Sequence, residues 1–295
     1  SLDDGELTQY NETRREVFDD EQDDEVLASI KDNGEESEGS QKETILIVED
    51  NVEILDYLKK EFKAQYNVIG VEDGVPALDI VMNKGTYPDL IITDVMLPEV
   101  SGLKLCKAIK QNIHTCHIPV IIISAKTDIE DQLEGLQVGA DDYILKPFSI
   151  SILQSKIQNI LKARKRTILY YSKSNDIEPE KITFNAMDEE LIKKATEIVK
   201  NNMDNISFSV DDFSREMAMS RSNLHLKLKA ITGESTIDFI RKIRFNEACR
   251  LLREGRYNVS EVGLMVGFNS PSYFATSFKK YYGVLPSEYV KSLKK

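Results

Sequence analysis

Five side chains in this sequence could do chemistry together, and each stands at the end of a short apolar run. Glu49 and Asp50 follow Ile45 to Val48, Asp94 follows Leu90 to Thr93, Ser124 follows Val120 to Ile123, and Lys146 follows Tyr143 to Leu145. An apolar run that reaches one carboxylate and is soon stopped by a proline, as Leu90 to Asp94 is stopped at Pro98, reads as a buried parallel strand. Such a strand delivers Asp94 to the carboxyl edge of a sheet, where α/β proteins place their sites. If the first and third strands are neighbours, Glu49, Asp50 and Asp94 converge. Three carboxylates within a few ångströms repel one another unless a divalent cation neutralises them. Oxygen-only donors favour Mg²⁺, which keeps several waters and accepts phosphate oxygens. Lys146 adds a fixed positive charge and Ser124 a hydroxyl, so the set suits a phosphoryl group carried on Asp94.

The elements that must position these residues follow from strand and helix alternation. Strand-like runs at Ile45 to Val48, Val68 to Val71, Leu90 to Thr93, Val120 to Ile123 and Tyr143 to Leu145 are separated by amphipathic stretches beginning near Asn51, Gly74, Ser101, Thr127 and Ser149. Five βα units predict an α/β domain over 44–165: a five-stranded, doubly wound parallel sheet with helices on both faces. Leu153, Ile157, Ile160 and Leu161 give the last helix its apolar stripe, and Arg164-Lys165-Arg166 suit the negative end of its dipole. A polar connector with Ser172, Ser174, Asn175, Asp176 and Pro179 predicts an interdomain linker over 166–187. From 188 to 295 the pattern is all helical, with turns near Gly233, Gly255, Gly267 and Gly283.

Charge divides the chain the same way. Residues 1–43 hold 16 acids and 4 bases, and with few large apolar residues they read as a disordered acidic leader. Residues 44–163 hold 17 acids and 11 bases, whereas the remaining 132 residues hold 17 acids and 23 bases. A basic C-terminal third is therefore hidden inside a chain whose pI is about 4.9. In 295 residues there is no apolar run near 20 residues and no signal-peptide pattern, which points to the cytoplasm and to no membrane contact from this segment. The first residue is Ser1 rather than Met, as expected of a fragment or processed chain, whose full-length form could be anchored through an upstream sensor. Cys106, Cys116 and Cys249 are too few and too scattered for a disulfide framework. His114-Thr115-Cys116-His117 has the look of a metal motif, but it is one short loop with no fourth ligand.

Over about 120 residues the sequence resembles the response-regulator receiver domain. The match lies in Glu49-Asp50, in Asp94 within PDLIITDVMLP, in Ser124-Ala125-Lys126, and in Gly139-Ala140-Asp141-Asp142-Tyr143 leading to Lys146-Pro147-Phe148. The resemblance implies a flavodoxin-like fold in which Asp94 accepts a phosphoryl group from a histidine kinase. It implies that Glu49, Asp50, Asp94 and the Met96 carbonyl hold Mg²⁺, and that Ser124 and Tyr143 form a switch pair. Glu49 stands where the family often has aspartate and Ser124 where it often has threonine; both keep the functional group.

In the basic third, Ser209-Val210-Asp211-Asp212-Phe213 opens a short helix and Ser220-Arg221-Ser222-Asn223-Leu224 caps the next, a helix-turn-helix pattern that recurs over Val259 to Phe268 and Pro271 to Tyr282. The second helix of the first unit is expected to expose Arg221, Ser222, His225, Lys227 and Lys229. A helix from about Thr236 to Glu254 would hold the two units roughly 28 Å apart at 1.5 Å per residue. That is close to the pitch of duplex DNA, about 34 Å, so two reading helices could enter successive major grooves. Gly267-Phe268, Tyr273-Phe274, Phe278-Lys279, Gly283 and Pro286 through Tyr289 resemble the AraC-type DNA-binding domain. The resemblance implies base contacts from the first turns of both recognition helices. By position the readers are Arg221, Ser222, His225, Asn269, Ser270, Ser272 and Thr276, with Arg244, Lys279 and Lys280 on phosphates.

Together these features predict a phosphorylation-dependent transcription regulator, not an enzyme, that pairs as a homodimer when phosphorylated and binds double-stranded DNA. The order of domains resembles the C-terminal part of hybrid two-component regulators. Two alternatives remain at this level: a phosphatase-like enzyme with an aspartyl-phosphate intermediate, or a protein-interaction module. The enzymes of the first kind commonly place a second acid two residues after the nucleophile, where this chain has Met96.

Overall fold

The computed structural model describes residues 42–82, 87–125, 138–173, 179–183 and 185–293. The acidic leader before Lys42, the stretch beginning near Thr127, and Ser174, Asn175 and Asp176 of the expected linker lie outside the described residues.

Five strands, β1 (Thr44–Val48), β2 (Asn67–Val71), β3 (Leu90–Asp94), β4 (Val120–Ser124) and β5 (Asp142–Leu145), form one parallel sheet in the order β2-β1-β3-β4-β5. β3 and β4 are buried at every position because they read apolar on both faces, LIIT and VIII, which only a sheet covered on both sides accommodates. Period-two alternation sorts those side chains. Ile45, Ile47, Leu90, Ile92, Ile121 and Ile123 pack with Leu55, Leu58 and Phe62 of α1 (Val52–Phe62) and Leu153, Ile157 and Leu161 of α4 (Ile150–Lys173). Leu46, Val48, Ile91, Val120 and Ile122 face the other way, onto Ala77 and Val81 of α2 (Gly74–Met82) and Leu105 and Ile109 of α3 (Gly102–Gln111). The doubly wound sheet expected from the sequence is the sheet observed.

The last helix of the α/β part differs from expectation. α4 does not end at Arg166 but runs on to Lys173, through the start of the segment read as a polar linker. No glycine or proline interrupts it, and Tyr171 carries its apolar face into the helical part of the molecule, where the ring is fully buried. Lys242, itself buried, sits with its ammonium 3.5 Å from the Tyr171 ring centre, donates to the Tyr171 carbonyl, and pairs with Glu234 at 3.1 Å.

Beyond α5 (Pro179–Ile182) the helical part has two cores. α6 (Ala186–Asn201), α7 (Val210–Glu216) and α8 (Arg221–Thr232) gather around Phe213, Leu224, Leu228 and Phe239. α10 (Val259–Met265), α11 (Pro271–Tyr282) and α12 (Pro286–Leu293) gather around Phe245, Phe268, Phe274 and Phe278. The 19-residue α9 (Thr236–Glu254) serves both, with Phe239, Ile240 and Ile243 in the first core and Phe245, Ala248 and Leu252 in the second. Both units are written in the same local code. Capping boxes, Ser209 with Asp212 and Asn258 with Glu261, start α7 and α10; Ser220 and Ser270 cap α8 and α11; Gly233 and Gly283 end them in left-handed conformation.

Candidate functional site

Strand register decides which ends meet. Val48 pairs with Thr93, Asp94 with Ile123 and Ser124 with Leu145, so Glu49, Asp94, Ser124 and Lys146 stand along one sheet edge. Carboxylate oxygens of Glu49, Asp50 and Asp94 all lie within 4.8 Å of one another. Glu49 and Asp94 are buried and Asp50 is exposed, which leaves the group open to solvent on one side. The Lys146 ammonium donates to Glu49 Oε2 at 2.8 Å and Oε1 at 3.1 Å and also to Asp94 Oδ2. Asp94 Oδ1 accepts the Met96 N–H at 2.8 Å, so both of its oxygens are held in place.

Burial lifts the Glu49 carboxyl above its ordinary value, against the pull of Lys146. Burial works on Lys146 in the opposite sense, but its bonds to Asp94 and Glu49 outweigh that and leave its affinity for the proton raised. One ammonium, bonded to two of three carboxylates, leaves the edge net negative. With oxygen-only donors and one open side, these residues fit Mg²⁺. Ser124 is fully buried at the end of β4, and the Tyr143 hydroxyl on β5 is buried with no hydrogen-bond partner among the described residues.

Backbone geometry around Asp94 depends on residues outside the acidic cluster. A Cβ at Gly102 would come within 2.0 Å of the Asp94 carbonyl oxygen, so only glycine lets α3 start against the end of β3. The Asp73 carboxylate accepts the N–H groups of Glu99 at 3.3 Å and Val100 at 3.2 Å and ties the loop after Asp94 to the end of β2. Just before Gly102, the Ser101 hydroxyl caps α3.

On the helical side, the faces of α8 and α11 carry the expected readers in unequal states. Ser222, Asn269, Ser272, Thr276, Lys279 and Lys280 are exposed. Arg221 is ion-paired with Asp211 of α7, His225 is half-buried with its proton affinity lowered by that burial and then by Lys229, and the Ser270 hydroxyl accepts the Tyr273 N–H at 3.1 Å.

Known proteins resemble both parts. The family model of the response regulator receiver domain matches residues 45–158, and that of a helix-turn-helix domain, here of the AraC type, matches residues 213–292. Response regulator ArlR of Staphylococcus aureus is 40% identical over 152 residues, covering 50% of this chain and 67% of that protein. The chain belongs to the response regulators. Histidine kinase P4 of Formosa agariphila is 41% identical to this regulator over 249 residues, which is 84% of the chain but 18% of that protein's length. A solved signal receiver domain of a signal transduction histidine kinase from Syntrophus aciditrophicus is 36% identical, with a TM-score of 0.40, and covers 42% of the regulator and 93% of that chain. A receiver joined to an AraC-type helix-turn-helix domain makes this a transcription regulator of the response-regulator type. No helix among the described residues is long and apolar enough to cross a membrane.

Two expectations about the regulator's basic residues need correction. Arg244, expected on a phosphate, is 6% exposed and donates to the Gly267 carbonyl at 3.0 Å and the Asn205 carbonyl at 3.0 Å. Its role is to join the turn of the second unit to the loop before the first, and a Cβ at Gly267 would fall 2.6 Å from the Met203 carbonyl oxygen. Lys227, expected on the exposed face of α8, is 1% exposed and pairs with Asp188 at 2.6 Å. Helical spacing could not separate Lys227 from Lys229, because the groups that bury Lys227 come from other elements, about 40 and 110 residues away in the chain.

Proposed function

We propose that this regulator is switched by transfer of a phosphoryl group from a histidine kinase to Asp94 and that it then binds specific duplex DNA through α8 and α11. The observation that carries the reading is the juxtaposition of Glu49, Asp50 and Asp94, with the Lys146 ammonium bonded to two of the three. An Asp94 carboxylate oxygen attacks phosphorus as the phosphorus–nitrogen bond of the kinase phosphohistidine breaks, and the imidazole leaves with the electron pair and takes a proton from water. Glu49, Asp50, Asp94 and the Met96 carbonyl would hold Mg²⁺, which neutralises phosphoryl charge when bound. Lys146 stays beside the product as its fixed counter-charge, and the buried Ser124 hydroxyl is placed on the neighbouring strand end to bond a phosphoryl oxygen.

Drawing Ser124 toward that oxygen opens space above β4, and Tyr143 shifts into it, where its buried hydroxyl, unpartnered among the described residues, gains a bond worth about 1–3 kcal/mol relative to leaving it unpaired. The remodelled face pairs two receivers, and pairing raises the effective concentration of the second DNA-binding domain at adjacent sites. On the duplex, Arg221, Ser222, His225, Asn269, Ser270, Ser272 and Thr276 read bases, and Lys279 and Lys280 contact phosphates. The basic reading domain supports a cytoplasmic setting for this work.

Incubation with a small phosphodonor and Mg²⁺, followed by intact-mass measurement, tests the first half. One phosphoryl group should add to the wild type and none to Asp94→Asn or to the wild type in excess chelator; label retained in Asp94→Asn would place the acceptor elsewhere. Binding to a random pool of duplexes tests the second half. Affinity should fall steeply with salt, and Lys279→Ala should reduce the slope of log K against log salt by about one. A helical domain that ignores duplex DNA at low salt would instead be a protein-interaction module.

A further inference from the structure

The loop His114-Thr115-Cys116-His117 takes no part in the proposed phosphoryl transfer or in base reading, yet it makes a polar contact with the helical domain. It belongs to a tight segment between α3 and β4, folded on itself by Cys116 N–H to the Asn112 carbonyl at 2.8 Å and Thr115 Oγ1 to the Ile109 carbonyl at 2.8 Å. Ile113 packs into the core of the first helix-turn-helix unit. Cys116 and His117 close over the Lys227–Asp188 pair. The Lys227 ammonium lies 3.2 Å from Cys116 Sγ and 3.0 Å from His117 Nδ1, the Cys116 thiol donates to Asp188 Oδ1 at 3.3 Å, and Asn185 Nδ2 donates to the Cys116 carbonyl at 3.3 Å. An ammonium can only donate, so His117 Nδ1 is the acceptor and the ring proton sits on Nε2.

Both members of the ion pair belong to the helical domain, Asp188 on α6 and Lys227 on α8; the receiver supplies the lid. Removing water from a carboxylate and an ammonium is costly, and pairing and a few further bonds only offset that cost. Separation of the domains would return both ions to water as a solvated pair. The contact is thus poised to open, unlike an apolar seam of the same size. It is also badly placed for DNA. A helix about 10–12 Å across fills a major groove about 12 Å wide and leaves no room along its flanks. Leu226, Lys229 and Ala230 on the flank of α8 line a cleft whose far wall includes Glu43, Asp89 and Arg164 of the receiver side. A receiver body with 17 acids and 11 bases over 44–163 lies against the helix that must approach a polyanion.

We infer that the 112–119 segment is an autoinhibitory latch, which holds the first recognition helix against the receiver by capping the Lys227–Asp188 pair and must release for both reading helices to engage one duplex. This rests on the DNA-binding reading above, and the test separates the two. In the full chain, Ile113→Asp and His117→Lys should each open the latch; they add opposite charges, so a gain in DNA affinity shared by both is not a charge effect. His117→Gln keeps an acceptor for Lys227 and should stay closed. Latch opening is read as amide hydrogen exchange at 185–188 and 227–231, and affinity with a labelled random-sequence duplex at fixed salt. The two opening variants should exchange at least about tenfold faster in these segments and bind duplex about tenfold tighter, with His117→Gln matching the wild type. Faster exchange with unchanged or weaker duplex binding overturns the latch and spares the DNA reading, and so does exchange that neither opening variant speeds. If no form binds duplex at any salt, the DNA reading falls and the latch with it.

Discussion

The two recognition helices share their punctuation and differ in one flank. Ser220 and Ser270 start them, Gly233 and Gly283 stop them, and each follows a helix opened by a capping box. Counting from the caps, Lys227 of α8 corresponds to Ser277 of α11. Lys227 is sealed under the receiver against Asp188, whereas the outer face of α11 exposes Ser272, Thr276, Lys279 and Lys280. Two copies of one structural unit are therefore not two copies of one function. Under the proposed function the second would only read DNA, whereas the first would both read and report to the receiver. β4 spans the distance between the two ends of that report, with Ser124 as its last residue and His117 three residues before its first.

The sharpest way to break this asymmetry is to delete the charge on one side only. Lys227→Met leaves Asp188 buried without its partner and should destabilise the protein by about 3–5 kcal/mol in chemical denaturation. Lys227→Met combined with Asp188→Asn should recover most of that loss, because no unpaired charge remains. Ser277→Met at the corresponding place in α11, which is only partly buried, should cost little by comparison. Equal losses from Lys227→Met and Ser277→Met would remove the basis for treating the helices differently.

Arg244 sits between the two units, and its loss should weaken the second more than the first. Arg244→Met leaves the Gly267 and Asn205 carbonyls without their donor, at about 1–3 kcal/mol for each group that water cannot reach. Gly267 begins the turn into α11, so hydrogen exchange should rise over 263–282 before it rises over 210–232. The reverse order would show that Arg244 serves the first unit.

What could be read from the sequence and what could not divides along chain distance. The sheet was legible because burial on both faces writes continuous apolar runs, and the acidic edge was legible because each of its residues ends such a run. The caps of the reading helices were legible because a serine bonds an N–H three residues on. Lys227 was not, since its burial depends on Asp188 and on a receiver loop, neither of which leaves a mark in the periodicity of α8. The continuation of α4 through Tyr171 was missed for a related reason. The basic run Arg164–Arg166 suggests a helix end and the polar residues from Ser172 a linker, but α4's buried stripe passes from the receiver core to the helical core, and neither core alone marks its continuation. Arg244 resembles a phosphate ligand in the sequence because nothing separates it from the other arginines of α9 or shows that two carbonyls already occupy it.

Acid should loosen the first unit's contact before anything comparable happens to the second, because all three histidines lie outside α11. Burial holds the His117 ring well below its ordinary value of 6.5, and the charges of Lys227 on α8, Arg164 on α4 and Lys110 on α3 push the same way; Tyr87 meets the ring edge-on and Asp188 lies behind Lys227. The folded, latched form therefore binds fewer protons than the open or unfolded form. Its stability is fully present above 6.5 and falls as pH drops from there toward the depressed value, by about 1.4 kcal/mol per pH unit for one group. His114 and His225 are shifted in the same direction by burial, so they add to global acid sensitivity, and only substitution separates the terms. His117→Gln, which cannot take up a proton, should flatten the pH dependence of exchange at 185–188 while leaving that of α11 unchanged. A profile that His117→Gln does not alter would assign the acid response to another group.

The smallest expected effect tests the likeness rather than the difference. Ser220→Ala and Ser270→Ala each remove one hydroxyl that accepts an N–H three residues on, at 3.2 Å to Asn223 and 3.1 Å to Tyr273, and each should cost about 1 kcal/mol. Similar losses in thermal melts would show that the two helices start from one local rule. A much larger loss at Ser220 would mean that the receiver contact depends on the first turn of α8 as well as on Lys227. In that case the cap is part of the latch, and the same substitution should also raise exchange at 185–188, which a purely local cap has no reason to reach.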